Sequence, residues 1–184
     1  TKMCLTNMRD AAFKMIKTGK KHGCKVVVSS SDSTDHFEQY LDMGADTVLL
    51  GEGEATLLEL IQKWKENQTI DTVKGLCYKE NGEVINTGRR PVLNNLDMLP
   101  SAAWGLIDID AYTSKWAQHG NKFALNLGTT RGCPYKCNWC AKPIYGNRYN
   151  SRSPEKVVAE IVEIKSRCDV TNYWMCDDIF GLKP

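Results

Sequence analysis

The spacing of apolar residues along the first seventy or so positions predicts alternating helices and strands. Residues 7–22 read as a helix, with Asn7 as N-cap, an apolar stripe of Ala11, Ala12, Met15 and Ile16, and Lys17, Lys20 and Lys21 toward its C-terminus. Val26-Val27-Val28 is a short continuous β-branched run, the pattern of a strand covered on both faces. The polar stretch Ser29–Ser33 reads as a turn. A short helix carrying Phe37, Tyr40 and Leu41 then stops at Gly44. Thr47–Leu50 is a second buried strand. Gly51-Glu52-Gly53-Glu54 opens a further helix with the stripe Leu57, Leu58, Ile61 and Trp64. The order α-β-α-β-α predicts an α/β fold with an open, doubly wound, Rossmann-like sheet.

The pattern changes after residue 70. Gly75–Tyr78 and Val84–Thr87 flank Asn81-Gly82, which predicts a hairpin with a type I′ turn. Residues 88–120 contain Pro91, Pro100 and isolated aromatics, and read as a linker with one short helix. Phe123–Leu127 is a new strand. Ser153-Pro154-Glu155 combines an N-cap, proline at the first helical position and an acid in the first turn. Val157, Val158, Ile161, Ile164 and Cys168 continue that helix, and Asn172–Cys176 is a last strand ending in Asp177-Asp178.

Composition narrows the classes. A length of 184 residues is short of the roughly 200 that a complete (β/α)₈ barrel needs. With 42% hydrophobic and 25% charged residues, the chain is globular rather than disordered. A net charge of +2 gives no reason to expect nucleic acid or an anionic membrane as partner. No apolar run approaches the roughly 18 residues of a membrane span, no signal-peptide pattern is present, and a cytoplasmic protein is expected. The start at Thr1 and the end at Pro184, just after a strand without a closing element, read as a piece of a longer chain.

The 8 cysteines are distributed unevenly, with three inside Cys133-Pro134-Tyr135-Lys136-Cys137-Asn138-Trp139-Cys140. A disulfide framework would spread them out, so the pattern favours a reducing compartment and one metal site. Three thiolates on one short loop can reach a polynuclear iron–sulfur centre and leave one coordination position open, as catalytic metals require. A structural zinc site would want a fourth Cys or His nearby. A thioredoxin-type pair at Cys137 and Cys140 would leave Cys133 unexplained. These readings rank below the open iron–sulfur site.

The stretch Thr129-Thr130-Arg131-Gly132-Cys133-Pro134-Tyr135 through Cys137 and Trp139-Cys140 resembles the signature of radical SAM enzymes. The resemblance implies that Cys133, Cys137 and Cys140 hold a 4Fe-4S cluster whose open iron binds S-adenosylmethionine. It also implies that Trp139 lines the adenine side with Tyr135 nearby, and that reduction yields a 5′-deoxyadenosyl radical. The Cys176-Asp177-Asp178 segment stands where the family meets the methionine amino group, usually with Gly-Gly-Glu. Asp177 and Asp178 are therefore expected at the SAM ammonium, the alternative being that one of them caps a turn. Arg148 and Arg152 are candidates for the SAM carboxylate, with solvated loop arginines the more ordinary reading.

The first part resembles a cobalamin-binding domain. Thr1-Lys2-Met3 looks like a degenerate Ser-x-Leu element, Ser30-Ser31 stands in the place of the family's Gly-Gly, and Gly51-Glu52-Gly53-Glu54 looks like a turn common in cobalamin-dependent radical SAM proteins. The resemblance implies cobalamin contacts at Thr1, Met3, Ser30, Ser31, Gly51, Glu52 and Gly53, at strand ends. None of His22, His36 and His119 takes the family's histidine position, and each reads as a surface or packing residue.

The expected division is the C-terminal part of a cobalamin-binding domain in 1–70, a hairpin and linker in 71–120, and the first β-α-β of a TIM-type radical SAM barrel in 121–184. The implied activity is methylation, ring formation or rearrangement of a small-molecule substrate, with electrons from a flavodoxin or ferredoxin. Cys176 would lie beside the SAM pocket, and Cys4, Cys24, Cys77 and Cys168 are assigned to packing. The rival readings are a methylthiotransferase, with Cys4, Cys24 and Cys77 as imperfect ligands of a second cluster, and a non-enzymatic metal-bound scaffold.

Overall fold

The computed structural model describes residues 2–120, 122–140, 144–170 and 172–182, with the backbone alone at residues 2–5. The chain forms two compact units, residues 1–92 and 93–184.

The first unit runs α1 (Lys2–Lys21), β1 (Val27–Ser29), α2 (Ser31–Asp35), α3 (Phe37–Asp42), β2 (Thr47–Leu49), α4 (Glu54–Lys65), β3 (Leu76–Glu80) and β4 (Glu83–Asn86). Its sheet has the order β1-β2-β3-β4. The pair β1/β2 is parallel, with Ser29 opposite Leu49, and the pairs β2/β3 and β3/β4 are antiparallel. The parallel start follows the expectation. The hairpin does not behave as part of a linker: β3 pairs along the whole of β2 and makes the sheet mixed. Its turn is of the anticipated kind, with Asn81 at φ 50° and Gly82 at φ 85°.

Alternation along β2 explains its apolar run. Val48 and Leu50 join Ile16, Tyr40, Leu41 and Cys77 in one cluster, and Leu49 joins Leu60, Val73, Leu76 and Tyr78 in another. Helices α1 and α3 supply the first cluster and α4 the second, so this sheet is covered on both faces. The helix stripes differ from the expected ones. In α1, Ala12, Phe13 and Ile16 pack inward while Ala11 and Met15 are exposed, and the helix begins well before Asn7. In α4, Thr56, Leu57, Leu60 and Trp64 pack inward, whereas Leu58 is 61% exposed. The polar stretch read as a turn holds the start of α2, capped by Ser30, whose side chain accepts from the Ser33 N–H.

A polar contact fastens α1 to the short helices. Arg9 Nε donates to Asp32 Oδ2 at 2.9 Å, and the Tyr40 hydroxyl donates to the same oxygen at 2.5 Å. The Arg9 guanidinium, with help from Tyr40, holds the Asp32 carboxyl down to about 2.

The second unit has 3₁₀ turns at Leu96–Met98 and Trp104–Leu106, then α5 (Ile109–Gln118), β5 (Ala124–Leu127), β6 (Thr130–Arg131), β7 (Asn150–Ser151), α6 (Pro154–Arg167) and β8 (Asn172–Met175). Strands β5 and β8 are parallel and joined through α6, the β-α-β unit expected. Ser153 caps α6 by accepting from the Lys156 N–H. The core gathers Trp104, Ile109, Leu127, Ile164 and Val170. Val158 is 58% exposed, and the inward position on α6 is taken by Glu160, only 4% exposed.

Burial of that carboxylate is matched by partners. Trp104 Nε1 donates to Glu160 at 2.9 Å and Arg152 donates to its other oxygen at 2.5 Å. Residues 93–106, expected as linker, are thereby built into this unit. Asn150 Nδ2 also donates to the Leu93 carbonyl, and the Ser153 N–H to Asp97, both at 2.9 Å. Among the described residues, no helix is long and apolar enough to cross a membrane.

The depressed Asp32 pKa fixes a pH dependence. Its contribution to stability is fully present above the ordinary carboxylate value of 3.8 and fades as pH falls through about 2. Asp32→Asn is expected to destabilise the first unit at pH 6, with the difference from wild type shrinking as pH falls from about 4 toward 2. Urea denaturation at stepped pH measures it.

Candidate functional site

The cysteine loop leaves β5 and is bracketed by a two-stranded ladder. Thr130 pairs with Ser151 and Arg131 with Asn150, which draws the start and the far side of the loop together. Gly132 makes this closure possible. It is buried, at φ +82°, and a Cβ there would lie 2.2 Å from the Arg148 carbonyl oxygen. No side chain fits that approach of backbone to backbone.

Cys133 is half-buried, Cys137 and Cys140 are exposed, and all three are thiols rather than disulfides. The Cys140 N–H donates to the Cys137 carbonyl at 3.2 Å, a tight turn between the last two. Tyr135 is exposed, and Trp139 is 88% exposed. Among the described residues, no three Cys, His, Asp or Glu side chains are gathered as a metal site.

The two carboxylates after β8 reach back to the entrance of this loop. Asp177 Oδ1 accepts from the Thr129 N–H at 2.6 Å and from the Thr130 N–H at 2.8 Å, and Oδ2 accepts from the Thr129 hydroxyl. Asp178 Oδ2 accepts from the Gly132 N–H at 3.0 Å, and the Thr130 hydroxyl donates to the Ile179 carbonyl at 3.1 Å. On the other side, the Arg152 N–H donates to the Thr129 carbonyl at 2.9 Å and its guanidinium to the Gly128 carbonyl at 3.0 Å. Arg152 is thus engaged with Glu160 and the loop backbone rather than free in solvent. Arg148 is exposed, and its carbonyl faces Gly132.

In the first unit, several of the residues expected at cobalamin come together at the carboxyl ends of two parallel strands. Ser30 and Ser31 follow β1, and Gly51, Glu52 and Gly53 follow β2. Gly51 has φ +76°, Glu52 is buried, and a Cβ on Gly53 would lie 3.2 Å from Ser29 Oγ. Buried Thr34 links the two ends: its hydroxyl donates to the Ser30 carbonyl at 2.8 Å, and the Gly51 N–H donates to that hydroxyl at 3.3 Å. Such strand ends are where an open α/β sheet takes ligands. Met3 lies in the first turn of α1 rather than at a strand end, and Thr1 lies outside the described residues.

Comparison with known proteins gives the relationship. An uncharacterized methyltransferase from Pyrococcus horikoshii is 33% identical over 74% of this chain and 29% of its own length. The anaerobic magnesium-protoporphyrin IX monomethyl ester cyclase of Synechocystis is 29% identical over 79% of this chain and 28% of its own. A putative methylthiotransferase from Methanocaldococcus jannaschii is 32% identical over 86% and 32%. The structure of OxsB, a cobalamin-dependent S-adenosylmethionine radical enzyme with aqua-cobalamin and S-adenosylmethionine bound, superimposes with a TM-score of 0.71 at 25% identity, over 91% of this chain and 23% of that one. The chain is related to the cobalamin-dependent radical SAM enzymes. It spans between a quarter and a third of the curated relatives' length. No family model matches it.

Sequence reading missed the β6/β7 ladder, Thr34 and Glu160. Two-residue strands carry no periodicity, and a buried glutamate looks like any helix-surface acid until its partners are placed. Cys24, assigned to packing, is exposed. Cys77 is buried, which pushes its thiol up to about 11, and Cys168 is half-buried.

Gly132→Ala is expected to lower the stability of the second unit by more than about 2 kcal/mol, from positive φ plus the backbone clash. Gly146→Ala, at φ +62° with nothing within 4 Å, should carry only the smaller conformational cost. Urea denaturation of both variants compares the two.

Proposed function

We propose that the second unit is the cluster-binding start of a radical SAM domain and that the first unit is part of a cobalamin-binding sheet. One observation carries the reading: a loop with three cysteine thiols leaves β5, is closed by Gly132 and the β6/β7 ladder, and is followed by the α6–β8 crossover back to a parallel partner. The donor set suits a four-iron cluster held by three protein ligands, because the three thiols lie within eight residues of a loop whose start is fixed at Gly132. Cys133, Cys137 and Cys140 would hold such a cluster, which would supply the one-electron reduction that cleaves S-adenosylmethionine. Tyr135 and Trp139 present exposed aromatic faces on the same loop for the adenine side. Ser30, Ser31, Gly51, Glu52 and Gly53 are the cobalamin side, with small residues and backbone groups that admit a nucleotide tail. The activity proposed is methylation or ring formation on a small molecule, with a flavodoxin or ferredoxin as reductant.

The putative methylthiotransferase relative favours a second reading, in which a second cluster is present. Two of the three cysteines of the first unit speak against it; the side chain of Cys4 lies outside the described residues. Cys77 is fully buried in β3 with its thiol pushed upward, and Cys24 lies exposed beyond α1.

Anaerobic reconstitution with iron and sulfide is expected to give about four irons per chain, lost in the Cys133, Cys137 and Cys140 to Ala variant, with a paramagnetic signal that shifts on adding S-adenosylmethionine. About eight irons would favour the second reading, and no cluster would sink both. Equilibrium dialysis with aqua-cobalamin tests the first unit separately.

A further inference from the structure

The carboxylates after β8 were expected to face the ammonium of S-adenosylmethionine, yet each has backbone amides as its partners. Asp177 takes two consecutive N–H groups, of Thr129 and Thr130, together with the Thr129 hydroxyl. Asp178 takes the N–H of Gly132, the residue directly before Cys133. These amides lie beyond the β5/β8 pairing, with Thr130 in β6 and Gly132 directly after it, and the β6/β7 ladder leaves them to the carboxylates. A charged acceptor bonded to several amides fixes both position and direction.

We propose that Asp177 and Asp178 are positioning residues for the cysteine loop: they lock Thr129, Thr130 and Gly132 so that Cys133 leaves the sheet at one fixed angle. What the loop then holds rests on the radical SAM reading, but the lock itself does not.

The chemistry of the bonds supplies the test. Asparagine at 177 keeps the Oδ1 acceptor for both amides, and its Nδ2 can donate to the Thr129 hydroxyl. Asparagine at 178 can likewise accept from Gly132. Both replacements remove the negative charge that an ammonium ligand would need. Amide hydrogen exchange of the 184-residue chain, read by NMR without iron, is expected to change less than about threefold in Asp177→Asn and Asp178→Asn, which keep the acceptor and lose only the charge. In Asp177→Ala the Thr129 and Thr130 amides should exchange about tenfold faster or more, and in Asp178→Ala the Gly132 amide should do so. The Cys176 amide, bonded to the Leu127 carbonyl at 2.8 Å, reports that β5/β8 still pairs. After reconstitution, the Asn variants should retain wild-type iron and wild-type affinity for S-adenosylmethionine, and the Ala variants should lose iron.

Unprotected amides in the wild type would overturn the proposal. So would Asn variants that keep iron but bind S-adenosylmethionine tenfold more weakly, since that would make the carboxylates ligands. If the Ala variants fail to fold, the Asn pair decides. Failure of every protein to take up iron, with the exchange pattern as stated, would count against the radical SAM reading and leave the lock standing.

Discussion

Parallel registry between β5 and β8 is the constraint on which the second unit depends. Leu127 lies opposite Met175, so two residues further on Thr129 meets Asp177. Side chains alternate along a strand, so a slip of one residue would turn Asp177 away and bring Cys176 or Asp178 to the Thr129 amide. The registry is held from within by Leu127, Ile164 and Val170, and α6 is the crossover that makes the pairing parallel. The fixed end of β5 then sets where the cysteine loop begins.

The first unit uses the same geometry for a different end. Ser29 opposite Leu49 brings the serines after β1 beside the glycines after β2, and Thr34 bonds to both strand ends. Glycine at 53 permits approach to Ser29, and glycine at 51 permits a left-handed turn. The side chains of Leu49 and Ser29 close on position 53 and a positive φ is needed at 51, so glycine suits both places on structural grounds alone.

Much of this was legible from the chain because several signals are local. Ser153-Pro154 starts α6 through an N-cap and a preset φ, and Asn81-Gly82 makes its turn through two positive φ angles. The three cysteines were visible by spacing. What could not be read depends on partners distant in sequence. Nothing local says that the hairpin extends the sheet, that Glu160 is paired with Trp104, or that Val158 faces outward while a glutamate faces in. Helical periodicity marks a face, but the neighbouring elements decide its rotation, as Leu58 in α4 and Met15 in α1 illustrate. The roles of Asp177 and Asp178 belong to the same class, since their partners are 46 to 48 residues away.

The closure at Gly132 also separates two kinds of sequence freedom. Its neighbour across the loop is a carbonyl oxygen of residue 148, an atom that every amino acid brings. The arginine side chain at 148 can therefore drift among related proteins without altering the closure, whereas position 132 has a single acceptable occupant. A loop of this kind can diversify its outer surface while its inner turn stays constant.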